Sequence, residues 1–253
     1  MLKARVIPCL LLRKRGLVKT TSFKDPVYVG DPINAVRIFN EKEVDELVFL
    51  DITATSEKKD PPLQVITEIA GECFMPLCYG GGVRSVEQIR TILGLGVEKV
   101  AINSAAAEDP GLVTRAAREF GCQSIVVSID VKKSLLGRQQ VVTHGGKKAL
   151  DVDPVTYARR MEAVGAGELM VTSVERDGTM KGYDVALVRK IVDAVSIPVI
   201  ACGGAGSLSD FKAVVGEGGA SAAAAGAMFV FHGKHRAVLI SYPARADIER
   251  TLG

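Results

Sequence analysis

The chain has 253 residues, 47% hydrophobic and 24% charged, with 32 basic against 29 acidic side chains for a formal charge of +3. Such a chain can bury enough apolar surface to offset its backbone entropy, which excludes disorder, and its length suits one α/β barrel as well as two smaller domains. Aromatic residues at 5% and a mild, scattered basic excess argue against nucleic-acid recognition by stacking, and the apolar run 222–231 falls short of the roughly 20 residues a membrane span needs.

Continuously apolar, β-branched runs predict strands at 5–11, 46–51, 76–79, 99–103, 124–130, 168–173, 197–202 and 221–225. Runs of this kind suit parallel strands buried on both faces. Amphipathic runs between them predict helices at 32–42, 62–72, 85–93, 110–120, 154–164, 185–195 and 208–215. Asp31-Pro32, Asp109-Pro110 and Asp153-Pro154 each place a capping carboxylate before a proline in the first helical turn. Eight βα units without a composition break predict one (β/α)8 barrel over residues 1–253, with a doubly wound sheet as the alternative.

The chain also repeats itself. Met75-Pro-Leu-Cys-Tyr-Gly-Gly-Gly82 matches Ile197-Pro-Val-Ile-Ala-Cys-Gly-Gly204, and each is followed by a serine and a helix. The repeat is half the chain long, so the barrel is expected to consist of two similar halves with paired sites on one rim. Loops after the strands carry function in such barrels. Gly81 and Gly82 with Asn103 and Ser104 in one half, and Asp177, Gly178, Gly203 and Gly204 with Ala225 and Gly226 in the other, are candidate phosphate sites. Glycine lets backbone N–H groups approach an anion closely. The implied ligand is a phosphorylated small molecule with a phosphate at each end.

Asp51 and Asp130 end their strands and are candidate proton-transfer groups, with a helix or loop cap as the other reading. The repeat aligns Leu11 with Asp130, so one half carries a carboxylate and the other an alkyl chain. Arg5, Glu46, Lys99 and Glu168 each start a strand and would converge at the opposite end, either as a structural plug or as a functional ring. The five cysteines form no CxxC pair and read as reduced, buried thiols in a cytoplasmic protein. His144, His232 and His235 read as loop residues, with no metal and no cofactor implied. Lys3 and Arg5 precede an apolar run too short for a signal peptide, and Arg13-Lys14-Arg15 reads as a solvated loop.

Arg5-Val-Ile-Pro-Cys-Leu10, Asp45-Glu-Leu-Val-Phe-Leu-Asp-Ile52, Gly80-Gly-Gly82, Lys99-Val-Ala-Ile-Asn103, Val127-Ser-Ile-Asp130, Arg176-Asp-Gly-Thr179 and Gly203-Gly-Ala-Gly206 together resemble the cyclase subunit of imidazole glycerol phosphate synthase over nearly the whole chain. The resemblance implies a half-barrel-repeat enzyme of histidine biosynthesis. A glutaminase subunit would sit at the barrel bottom, and ammonia would pass along the axis to a bis-phosphate ribulosyl substrate at the top. It implies an ammonia gate at Arg5, Glu46, Lys99 and Glu168, and phosphate contacts at Gly82, Asn103, Asp177, Gly178 and Gly204. The family also has a catalytic aspartate where this chain has Leu11. That departure, Leu10-Leu11-Leu12 and the ending Gly233-Lys-His-Arg-Ala-Val-Leu-Ile-Ser-Tyr242 are similar to a paralogous branch. This branch is associated with acetamidino modification of sugars for lipopolysaccharide O-antigen, and the resemblance implies a separate sugar amidotransferase as a further partner. A histidine-pathway cyclase, a non-catalytic scaffold that activates the glutaminase, and a phosphoribosyl isomerase are the other readings.

Overall fold

The computed structural model describes residues 4–134 and 136–253; Lys3 lies outside them. The strands are β1 (Arg5–Arg13), β2 (Gly16–Thr21), β3 (Lys24–Gly30), β4 (Leu47–Asp51), β5 (Leu77–Gly80), β6 (Lys99–Ile102), β7 (Ile125–Lys133), β8 (Gln139–Thr143), β9 (Lys148–Ala149), β10 (Glu168–Ser173), β11 (Val199–Cys202), β12 (Ala222–Ala225), β13 (Phe231–His232) and β14 (Ala237–Val238). The helices are α1 (Pro32–Glu41), α2 (Leu63–Glu72), α3 (Val86–Gly94), α4 (Ser104–Glu108), α5 (Pro110–Phe120), α6 (Pro154–Ala163), α7 (Val185–Val192), α8 (Leu208–Gly216), α9 (Ala227–Val230) and α10 (Arg245–Leu252).

Eight of these strands close on themselves, all parallel, in the order β1, β4, β5, β6, β7, β10, β11, β12. Because β7 and β10, the two ends of the path through β1, also pair with each other, the sheet is a closed (β/α)8 barrel and not an open doubly wound one. Several helices form where the sequence supplies a cap and an apolar stripe. Asp31 accepts from the Asn34 amide at 3.0 Å, and Ala35, Val36 and Phe39 of α1 are buried. Asp153 caps α6 through the amides of Val155 and Thr156, whereas Asp109 pairs with Arg115 at 2.7 Å.

The half-barrel repeat is visible in the pairing. The first strand of each half, β1 or β7, runs past the rim and folds back as an antiparallel hairpin, β1–β2 or β7–β8. Leu11 faces Val18 in one hairpin and Asp130 faces Val142 in the other. These hairpins, β3, β9, the short helices α4 and α9, the β13–β14 hairpin and α10 were not among the expected elements. Their polar turns and short lengths leave too little periodicity to detect. Of the cysteines, Cys9, Cys78 and Cys202 are buried and Cys73 partly so, but Cys122 is exposed in the turn after α5, contrary to the expectation that all were buried. Among the described residues, no helix is long and apolar enough to cross a membrane, and no group of three His, Cys, Asp or Glu residues could hold a metal ion.

Candidate active site

Alternate residues of each barrel strand face the axis. Ile7, Cys9, Val48, Cys78, Ala101, Val126, Met170 and Cys202 pack together inside the barrel, while Leu10, Leu12, Phe49, Val127 and Ile129 pack outward against the helices. The same alternation carries Arg5, Glu46, Lys99 and Glu168 to the axis at the bottom. At the top it carries Leu11, Leu50, Asn103, Asp130 and Thr172 to the mouth.

At the bottom the four charges form a closed ring of alternating sign. Arg5 reaches Glu46 with one terminal nitrogen and Glu168 with the other. Lys99 Nζ donates to both Glu46 oxygens, at 2.9 and 3.1 Å, and to Glu168 Oε2 at 3.0 Å. Glu46 and Glu168 are buried, while the Arg5 and Lys99 side chains stay 27% and 19% exposed, so the cations form the outer lip. Burial works against both cations, but the flanking glutamates hold each above its ordinary pKa. The ring balances two positive against two negative charges, which offsets the desolvation of the buried pair. Directly above it, burial pushes the Cys78 thiol up, so Cys78 stays neutral.

At the top, Asp130 is partly exposed in the mouth. Burial pushes its carboxyl up to about 7, with a Thr172 hydrogen bond pulling the other way and Asp177 pushing further. Asn103 Nδ2 donates to Asp130 Oδ2 at 3.3 Å and to the Ser128 carbonyl at 3.0 Å, which fixes the amide beside the carboxyl. A carboxyl titrating near neutrality can both accept and return a proton at physiological pH. Asp51 does not share this mouth. It follows the outward-facing Phe49 in strand parity, and its Oδ1 accepts from Thr53 N, Thr53 Oγ1 and Ala54 N at 2.8, 2.8 and 3.0 Å. The expectation that Asp51 projects into the mouth like Asp130 is therefore corrected: its carboxylate caps the turn that follows β4.

The glycine loops lie on the same rim. A Cβ on Gly81 would stand 2.3 Å from the Asp51 carbonyl, and one on Gly178 2.1 Å from the Thr20 carbonyl. Both residues also have positive φ, +113° and +73°, so glycine is required twice over. The amides of Gly81, Gly82, Gly178 and Gly204 donate to no acceptor among the described residues. Gly203 packs beside the Asp177 backbone, and Gly226, which follows Ala225, lies under the Lys19 stem. Ser104 accepts from the His144 amide at 3.0 Å and donates to the Asn103 side chain at 3.2 Å.

Asp177, expected as a phosphate contact, has its donors and acceptors engaged elsewhere. Its amide bonds the Ser173 carbonyl at 3.0 Å, and its carboxylate takes Lys19 Nζ on both oxygens at 2.9 Å. Lys19 is 5% exposed and was missed at the sequence level; the available signal was a lone lysine inside the apolar run of β2. Thr172 and Ser128 were missed too, because a hydroxyl in a buried strand resembles an ordinary core residue.

The histidine biosynthesis protein family matches residues 5–236. A Pseudomonas aeruginosa relative provisionally named imidazole glycerol phosphate synthase subunit hisF2 is 55% identical, covering 96% of this chain and 97% of its own length. A Leptospira borgpetersenii relative provisionally named subunit HisF of the same synthase is 47% identical, with 98% of both chains covered. The synthase subunit HisF of Alkaliphilus metalliredigens is 44% identical over 92% of each. With this closed barrel, its paired glycine loops and its sequence shared along almost the whole length, the chain belongs to the histidine biosynthesis protein family and is an enzyme subunit of the imidazole glycerol phosphate synthase cyclase type.

Proposed function

We propose that this barrel receives ammonia from a glutaminase subunit through the ring of Arg5, Glu46, Lys99 and Glu168 and passes it up the axis to a phosphate-binding mouth. There it serves a paralogous task, the amidination of a sugar in acetamidino-sugar biosynthesis for lipopolysaccharide, working beside a sugar amidotransferase. The observation that carries this reading is Leu11. It faces the axis at the position equivalent to Asp130, is paired with Leu50 on the next strand, and cannot transfer a proton. Ring closure by two opposed carboxyl groups needs both, and loss of one costs on the order of a hundredfold or more. The ring, with one cation pair and one carboxylate pair around the axis, supports ammonia entry. The apolar interior above it supports passage of a neutral molecule. The subunit names of the relatives support a glutaminase partner.

A histidine-pathway cyclase is the second reading, favoured by the intact surroundings of Asp130 and by the name of the Alkaliphilus relative. The two separate in one assay. Purified barrel is given the bis-phosphate ribulosyl substrate and ammonium salt, and imidazole glycerol phosphate is measured. The paralogue reading expects turnover at least about a hundredfold below that of a two-aspartate relative; equal turnover overturns it.

A further inference from the structure

The two phosphate loops differ in the cations beside them. In the first half, Arg84 follows Gly82 by two positions, and Asp60 pairs with its guanidinium at 2.6 Å. In the second half, two guanidiniums flank the 176–182 loop, and neither is paired with an acid among the described residues. Arg176 donates from Nη1 to the carbonyls of Lys181 and Gly182, at 3.2 and 3.0 Å. Arg236 donates from Nη2 to the Gly178 carbonyl at 3.0 Å, and its guanidinium lies 4.5 Å over the Phe231 ring. Arg236 belongs to the turn between β13 and β14, whose exposed tip also carries Lys234 and His235. That hairpin is tied to the barrel by Leu239 N to Val230 O at 3.0 Å and Ser241 N to Phe229 O at 2.9 Å. A guanidinium has five N–H donors, and the described residues engage only one nitrogen of each of these two.

We infer that the β13–β14 hairpin is a second anion-recognition element, so that the second-half end of the mouth takes a diphosphate where the first-half end takes a single phosphate. The free amides of Gly178 and Gly204 would hold one phosphoryl group. The remaining donors of Arg236 and Arg176, with Lys234 at the tip, would take the other. Two phosphoryl groups in tandem match two forked, uncompensated guanidiniums better than one group does. Arg236 also bonds the Gly178 carbonyl, so the hairpin and the glycine cradle are in direct contact. The inference rests on the phosphate-binding mouth of the proposed function.

The test is calorimetric titration of the whole protein with inorganic phosphate and, separately, inorganic pyrophosphate, at fixed ionic strength. Pyrophosphate is expected to bind at least about tenfold more tightly than phosphate, a difference readily resolved by titration. Arg236→Gln removes the charge and the forked donors, and is expected to bring that ratio close to one. Lys234→Ala, at the exposed tip where folding is not at stake, is expected to lower the ratio about threefold, and Arg84→Gln to leave it unchanged. Equal affinity for the two anions in the unmodified protein, or a ratio that survives both hairpin substitutions, overturns the inference while leaving the mouth as a phosphate site. If neither anion binds the unmodified protein, the phosphate-binding mouth fails as well.

Discussion

The two half-barrels present the same backbone with opposite chemistry at the mouth. In the first half, Leu11 pairs in register with Leu50, and Leu50 with Gly80; in the second, Asp130 pairs with Thr172, and Thr172 with Cys202. One row is an alkyl wall. The other holds a carboxyl that burial pushes to about 7 beside the hydroxyl of Thr172 and the amide of Asn103. Backbone pairing and strand parity are thus insensitive to the exchange of a carboxylate for a leucine at the rim. Proton transfer is not, so the fold and the paired glycine loops persist while the proposed chemistry becomes one-sided.

The largest effect should come from removing the remaining carboxyl. Asp130→Asn keeps the shape and the Asn103 contact but has no titrating group, so any barrel-catalysed turnover should fall by about a hundredfold or more. Turnover that survives in this variant would transfer the chemistry to a partner and make the two halves equivalent after all. Next in size is the bottom ring, which draws both cations from the first half and one glutamate from each. Lys99→Glu leaves three carboxylates facing Arg5 and should lower glutamine-dependent product about tenfold while ammonium-dependent product changes little. A parallel fall in both would mean a structural plug.

The smallest effect is on stability. The Asp130 pKa in the folded barrel lies above its ordinary value of 3.8, so the folded state holds its proton more tightly than the unfolded chain does. Its contribution is therefore fully present below about pH 4 and is lost as pH rises toward 7. Asp130→Asn should gain most in melting temperature, relative to the unmodified protein, at pH 8 and least at pH 4. A gain independent of pH would show that the carboxyl is not desolvated.

Much of this was legible in the sequence for physical reasons. Parallel barrel strands are buried on both faces, so their apolar runs stand out, and the internal repeat alone aligns Leu11 with Asp130. The four-charge ring was legible because a charge at the start of an apolar strand is expensive without a partner. What escaped were features that depend on contacts between distant loops. Strand parity turned Asp51 away from the mouth, where position at a strand end alone suggested otherwise. The Lys19–Asp177 pair joins residues 158 positions apart and converts an apparent phosphate contact into an anchor for a lysine. The β13–β14 hairpin, only two residues per strand, carries no periodic signal, yet it brings Arg236 onto the Gly178 loop.

On the proposed reading, a single missing carboxylate separates this barrel from a histidine-pathway cyclase, and Leu11→Asp tests that most directly. Imidazole glycerol phosphate formation from the bis-phosphate ribulosyl substrate and ammonium salt would be measured for the unmodified protein and the variant side by side. The asymmetric mouth predicts a rise of about tenfold or more in the variant, from a low starting rate. A high rate in the unmodified protein that Leu11→Asp leaves unchanged would contradict it.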